Sequence, residues 1–253
     1  MRRKILIAIG IILIILGLIF GCIGFYKYYS EKKAGEVYED LKVEFDMAPL
    51  IDVPQMDVEE LEIPIDFANL KSQYPDVYAW ITIPGTRIDY PIVQHGSDNG
   101  YYLNHTVDGR KRVEGAIYTE NYNSKDFSDP NTLIYGHNMK NGSMFKGLHK
   151  YRDKKYMSEH DEVIIYQEGR ILRYKIFAAY VYDSRHIMQS FDFTDENIFR
   201  SYLNSVLTKK DMSSNIDTTI DITTDDKIIT LSTCNNNDAQ RYLVQAVLLS
   251  IQE

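Results

Sequence analysis

Cysteine is almost missing: the 253 residues contain Cys22 and Cys234 and no others. Cys22 lies inside an apolar N-terminal run, so no disulfide framework is expected in the rest of the chain, and Cys234 has no cysteine partner with which to build a zinc site. None of the histidines form a pair at metal-ligand spacing on a shared face. The chain also lacks a glycine-rich phosphate loop, an internal repeat and a low-complexity tract. No metal and no cofactor are expected. Positive charge is outnumbered beyond the N-terminus: residues 1–33 hold six Lys or Arg against Glu31 alone, so a formal charge of −8 overall leaves about −13 on the remainder. That balance argues against nucleic acid as a partner. Apolar material is plentiful, at 44% hydrophobic and 12% aromatic, enough for the packed core of one large domain or two small ones.

The longest apolar stretch is residues 5–25, ILIAIGIILIILGLIFGCIGF, uncharged and about as long as a helix must be to cross bilayer hydrocarbon. Arg2, Arg3 and Lys4 precede it. The positive-inside rule then puts residues 1–4 in the cytoplasm, against a weaker vote from Lys27, Lys32 and Lys33. A removable signal peptide has a shorter apolar core and a small-residue cleavage site, so the expectation is a retained transmembrane anchor over 5–25. Gly21-Cys22 looks like the end of a lipoprotein signal, but Phe20 is bulky where a small residue is usual and the apolar run continues past Cys22. Residues 26–65 are charged, with Val37, Leu41 and Phe45 at helical spacing and then Pro49, Pro54 and Pro64. They read as a stalk and spacer outside the membrane.

From Trp80 the pattern becomes that of short strands, at 80–83, 88–93, 115–119, 132–135, 162–167, 171–182, 227–233 and 242–249. Gln167-Glu168-Gly169-Arg170 predicts a hairpin turn with Gly169 at positive φ. A short helix is expected over 67–74, and two helical inserts interrupt the strands. One carries the stripe Met144, Phe145, Leu148 and Tyr151. The other starts at Thr194 as N-cap, runs to about Lys210, and has Ile198, Phe199, Tyr202, Leu203 and Val206 on its apolar face. The fold class is therefore mainly β with helical inserts. Periodicity does not choose between a sandwich and a barrel.

Chemistry concentrates in residues 226–249, DKIITLSTCNNNDAQRYLVQAVLL. Two runs of β-forming residues flank Asn235–Asp238, which favour a turn, so Cys234 ends one strand and Arg241 opens the next. A lone cysteine is often only a small buried hydrophobe. A thiol becomes a nucleophile when a neighbouring group helps deprotonate it, usually a histidine. The best candidate is His137 in NTLIYGHN, again at a strand end. His95, His105, His149, His160 and His186 read as surface or hydrogen-bonding residues. Asp161, Glu162, Asp225 and Asp226 read as solvated turn charges, and no acid to orient His137 stands out.

TLSTC at 230–234, the arginine opening the following strand and YGHNM at 135–139 together resemble the sortases, cysteine transpeptidases that anchor proteins to Gram-positive cell walls, and class B most nearly. The stretches PDVYAWITIPGTRIDYPIVQ, DNGYYL and GSMFKGL extend the resemblance from about Phe67 to the C-terminus. It implies an eight-stranded sortase-type barrel over 66–253 behind a single membrane helix, with Cys234 as nucleophile, His137 as proton donor and Arg241 as the group that stabilises the oxyanion or binds carbonyls. It also implies substrate contacts at Asn99, Leu103, Tyr135, Ser232 and Ile187, an NP-type sorting signal on an exported protein, and a peptidoglycan-precursor or pilin amine as acceptor. The domain would lie outside the cell membrane. Two other readings stand beside it. An L,D-transpeptidase is disfavoured because Thr233, not glycine, precedes Cys234. A non-catalytic, membrane-tethered binding module on the same scaffold is the other.

Overall fold

A computed structural model describes residues 2–45, 62–235 and 239–253, with residues 2–9 by backbone alone. The spacer prolines Pro49 and Pro54, and residues 236–238 of the turn after Cys234, lie outside the described residues. The strands are β1 (Val77–Thr82), β2 (Asp89–Val93), β3 (Ile117–Thr119), β4 (Asn131–Tyr135), β5 (Glu162–Gln167), β6 (Arg170–Asp183), β7 (Asn215–Ile216), β8 (Ile228–Cys234) and β9 (Gln240–Gln252). Their order is β5-β1-β2-β3-β4-β8-β9-β6, and pairing of β5 with β6 closes an eight-stranded barrel. The two-residue β7 pairs with β6 outside the ring. The expected hairpin joins β5 to β6, with Gln167 opposite Arg170 and Gly169 at φ 79°.

Alternation along the strands sends side chains to two separate cores. Ile229 and Leu231 of β8, with Tyr242, Val244 and Ala246 of β9, face the barrel interior. Ile228, Leu243 and Val247 face outward, where α6 (Glu196–Leu207) covers them with Phe199, Tyr202, Leu203 and Val206. Both faces are dry, which is why these strands read as nearly unbroken apolar runs. The polar residues under α6 are linked in a chain that leaves Asn131 Nδ2 unpartnered. Gln245 Nε2 donates to Thr230 Oγ1 and to the Tyr202 hydroxyl, each at 2.8 Å, and Thr230 Oγ1 donates to Asn131 Oδ1 at 2.8 Å. The first expected insert is a 3-10 segment, Phe145–Arg152, with Phe145, Leu148 and Tyr151 buried, followed by α4 (Lys154–Glu159).

Three local expectations need correction. Asp195, not Thr194, caps α6: its carboxylate accepts from the Asn197 and Ile198 amides at 2.8 and 3.2 Å, while Thr194 turns back to Asp192. A full negative charge complements the helix dipole better than a hydroxyl does. The helix also stops at Leu207, and Lys209 instead lies over the Tyr180 ring at 5.2 Å. Ile198, placed on the apolar face from its spacing, is 37% exposed.

At the N-terminus a single helix, α1 (Arg2–Lys33), carries the whole apolar run, and Gly35 at φ 93° turns the chain into α2 (Glu36–Phe45). This part of the expected stalk lies on the barrel. Tyr38, Leu41 and Phe45 are buried in the main core, and the Tyr38 hydroxyl donates to the Gly115 carbonyl at 2.5 Å. Tyr38 meets Tyr90 edge-on, and Phe45 meets Tyr74 beside α3 (Phe67–Gln73).

A soluble chain starting at Ala34 should therefore melt above one starting at Asp66. Burial of each large apolar side chain contributes about 1.5–3 kcal/mol before ordering costs. For a domain this size ~1 kcal/mol moves the midpoint by about 2–4 °C. A rise of at least about 5 °C by calorimetry is expected, and equal midpoints would show that α2 contributes nothing to the fold.

Candidate active site

Two strand pairings assemble the site. β4 and β8 run parallel with Tyr135 opposite Ser232, and β8 and β9 run antiparallel with Cys234 opposite Arg241. The Gly136 amide donates to the Ser232 carbonyl at 3.0 Å, carrying the β4–β8 pairing one residue further and delivering His137 to the same rim. Cys234, His137, Arg241, Leu103, Tyr135 and Ser232 line one cavity of about 190 Å³, together with Tyr118, Gly136 and Thr233. Four strands and the turn at Tyr101–Leu103 supply these residues.

Gly136 is required by space. A Cβ there would lie 2.5 Å from Ile117 Cδ1 and 2.6 Å from Phe145 Cγ, well inside contact distance. The residue before His137 is thus clamped between the barrel and the 3-10 insert, and the His137 carbonyl accepts from the Phe145 amide at 2.9 Å. The His137 ring is held by backbone rather than by an acid: Nε2 lies 2.6 Å from the Leu103 carbonyl. A carbonyl can only accept, so Nε2 carries the proton and Nδ1 of the neutral ring is the basic atom.

The backbone of Cys234 is braced from two sides. Asn138 Nδ2 donates to its carbonyl at 3.0 Å, and His149 Nε2 donates to the same oxygen at 3.1 Å. His149 is stacked on Tyr242, and burial, reinforced by Arg152 and Lys146, holds its pKa below the ordinary imidazole value. Beyond Cys234, Asn235 is paired with Gln240 through backbone and side chain, and Arg152 donates to Asn235 Oδ1 at 2.9 Å. Arg241 Nη1 donates to the Gln240 carbonyl at 3.0 Å.

The cavity wall on the β3–β4 side is aromatic. Tyr118 and Tyr135 stack with ring centroids 5.2 Å apart, and burial, then the nearby Glu120 carboxylate, pushes both phenols well above their ordinary pKa. Both stay protonated, and the Tyr135 hydroxyl donates to Glu120 Oε2 at 3.0 Å. His186 Nε2 lies 2.7 Å from the same oxygen, though not in a direction that makes a hydrogen bond.

Of the residues singled out in the sequence, the structure leaves two outside this cavity. Asn99 Oδ1 accepts from the Asn121 amide at 2.9 Å and organises a turn. Ile187, at the start of α5 (Ile187–Ser190), is 3% exposed within the outer apolar cluster. Conversely, Asn138 and Tyr118 escaped the sequence reading, while His149, read there as a surface or hydrogen-bonding residue, is hydrogen-bonded to the backbone of the site. Asn138 sits inside the histidine motif and Tyr118 stands opposite Tyr135 in the β3–β4 register, so pairing those strands finds Tyr118. His149 has no sequence signal, because its partner is a carbonyl far along the chain.

Gly136→Ala should fold yet lose activity, since a misplacement of about 1 Å near reacting groups costs on the order of 10²-fold. The check is turnover of a cleavable peptide beside circular dichroism, and wild-type turnover would refute the clamp. His149 predicts an acid effect on stability. Its folded pKa lies below that of the unfolded chain, about 6.5, so as pH falls below that value the unfolded state takes up the proton first and stability falls. Urea midpoints at neutral and mildly acid pH should converge in His149→Gln, and an unchanged difference would remove His149 from the account.

The sortase domain family model matches residues 81–249, from the end of β1 into β9. Sortase B of Listeria monocytogenes is 36% identical over 194 residues, covering 75% of this chain and 76% of that one. The crystal structure of sortase B from Bacillus anthracis in complex with AAEK1 superposes with a TM-score of 0.72 at 28% identity, over 89% of this chain and 99% of that one. A Staphylococcus aureus sortase B–substrate complex gives 0.65 at 26% identity, over 73% and 84%. The closed barrel, the cysteine and arginine in register across its rim and these likenesses together place the chain in the sortase family of cysteine transpeptidases, on the class B branch.

Proposed function

We propose that this enzyme, from a family that anchors proteins to the cell wall, cleaves a C-terminal sorting signal of NP type and holds the upstream acyl group as a thioester on Cys234. One observation carries the assignment of roles: Cys234, His137 and Arg241 line a single cavity, with the thiol and the guanidinium on directly paired residues. His137 Nδ1 takes the Cys234 thiol proton, the thiolate attacks the scissile carbonyl, and the imidazolium gives that proton to the leaving amine as the carbon–nitrogen bond breaks. Arg241 donates to the oxyanion or to adjacent peptide carbonyls. An acceptor amine, of a peptidoglycan precursor or a pilin, then attacks the thioester while His137 takes up its proton, and the thiolate leaves.

Leu103, 49% exposed at the cavity mouth, with Tyr135 and Ser232, forms the wall against which the signal is read. A class B relative solved with a substrate supports a signal-bearing protein as the partner. The apolar run of α1, preceded by Arg2, Arg3 and Lys4, supports a single-pass anchor with a cytoplasmic N-terminus and the barrel outside. Asn99 and Ile187 keep no direct role in this scheme.

Cys234→Ala should abolish peptide cleavage with the barrel intact, and residual turnover would remove the thiol mechanism. Arg241→Lys separates charge from geometry. A lysine keeps the charge but not two parallel donors, so a loss of about 10²-fold, the cost of removing an oxyanion donor, is expected. Near-wild-type turnover of a sorting peptide by the folded lysine variant would reduce Arg241 to a point charge.

A further inference from the structure

Where α1 leaves its apolar run it passes beside the loop after Leu103, and between them lies an open cavity of about 650 Å³. Tyr26, Tyr29 and Lys33 form the helix wall, and Arg110, Lys111 and Arg112 face them from the loop. Among the described residues no carboxylate lines it. Two of its cations carry an ion pair, Arg110 with Asp108 at 3.3 Å and Lys33 with Glu36 at 3.6 Å, while Glu31 pairs with Lys140 at 3.3 Å and Glu114 is buried with Oε1 3.5 Å from the Gly35 amide. Lys111 and Arg112 make no ion pair among the described residues. This cluster stands on a domain whose remainder is strongly acidic.

The loop is built, not frayed. The Thr106 amide donates to the Arg110 carbonyl at 2.9 Å, the Arg112 amide to Asn104 at 2.9 Å, and Gly109 turns at φ 72°. Its depth relative to a bilayer follows from helix geometry. At ~1.5 Å per residue, Tyr26 and Tyr29 lie about 2 and 6 Å beyond Phe25, the last residue of the apolar run. The headgroup layer is about 5–8 Å thick on each side of the hydrocarbon. Two tyrosines at that level, with cations just above them, match the chemistry of the lipid interface.

We propose that this cavity binds the phosphate of an anionic phospholipid headgroup in the leaflet from which α1 emerges. The proposal rests on α1 as a membrane anchor. The guanidinium groups of Arg110 and Arg112 supply forked donors suited to phosphate, Lys33 and Lys111 supply point charge, and the tyrosines pack on the glycerol level. Each cation at such a surface is worth about fivefold in affinity.

The test uses the full chain in lipid nanodiscs, either of phosphatidylcholine alone or of phosphatidylcholine and phosphatidylglycerol in equal parts, with hydrogen exchange followed over residues 104–113. Exchange there should be slower by about fivefold or more with phosphatidylglycerol. The difference should vanish in Arg110→Gln/Lys111→Gln/Arg112→Gln, and should shrink in Lys33→Gln, which leaves the loop untouched should the triple variant fail to fold. Equal exchange in the two discs, or a difference that survives in both variants, overturns the site. Slowing in phosphatidylcholine discs on addition of inorganic phosphate alone overturns the lipid as its source. A chain that does not enter nanodiscs overturns the anchor and the proposal with it, whereas a chain that enters without lipid-dependent protection overturns the cavity alone.

Discussion

The register of three neighbouring strands is what the active site depends on. β4 and β8 are parallel and β8 and β9 antiparallel, so the carboxyl ends of the first two meet the amino end of the third at one rim. A slip of one residue anywhere in this set would turn Cys234 or Arg241 to the opposite face. The register is pinned because the faces are not interchangeable: Leu231 and Val244 belong to the barrel interior, while Thr230 and Gln245 need their partners under α6. Those buried polar groups cost little when paired and a great deal when orphaned, so they act against slippage more strongly than apolar residues of the same size.

Secondary structure around that register was largely legible in the sequence. Each of the eight barrel strands announced itself as a short run of β-forming residues between turn formers, and only the two-residue β7 did not. Closure into a barrel was not legible from periodicity, because apolar residues on both faces erase the alternation that would tell inside from outside; the family motifs supplied it. The docking of α2 was equally hidden. Val37, Leu41 and Phe45 at helical spacing describe an amphipathic helix without saying what it packs against, and Tyr38, fully buried against the barrel, lies beside that stripe.

The site divides along similar lines. Cys234 and Arg241 are neighbours through a short turn, and His137 ends a strand in a recognisable motif, so local sequence was enough to nominate them. The group orienting His137 is the Leu103 carbonyl, and a backbone oxygen leaves no mark on the sequence. Ile187 shows the reverse: an apolar residue in a long connection looks available for a ligand, and the structure buries it in the second core.

Two donors on the Cys234 carbonyl bear on the disorder the enzyme must remove at each turnover. Fixing one residue's backbone costs about 1–2 kcal/mol of conformational entropy. Asn138 and His149 have imposed that order at Cys234 during folding, before any peptide arrives. What remains for the substrate to freeze is rotation of the thiol about a single side-chain bond. The proposed nucleophile at this strand end is thus preorganised through its main chain, by residues that need never touch the substrate.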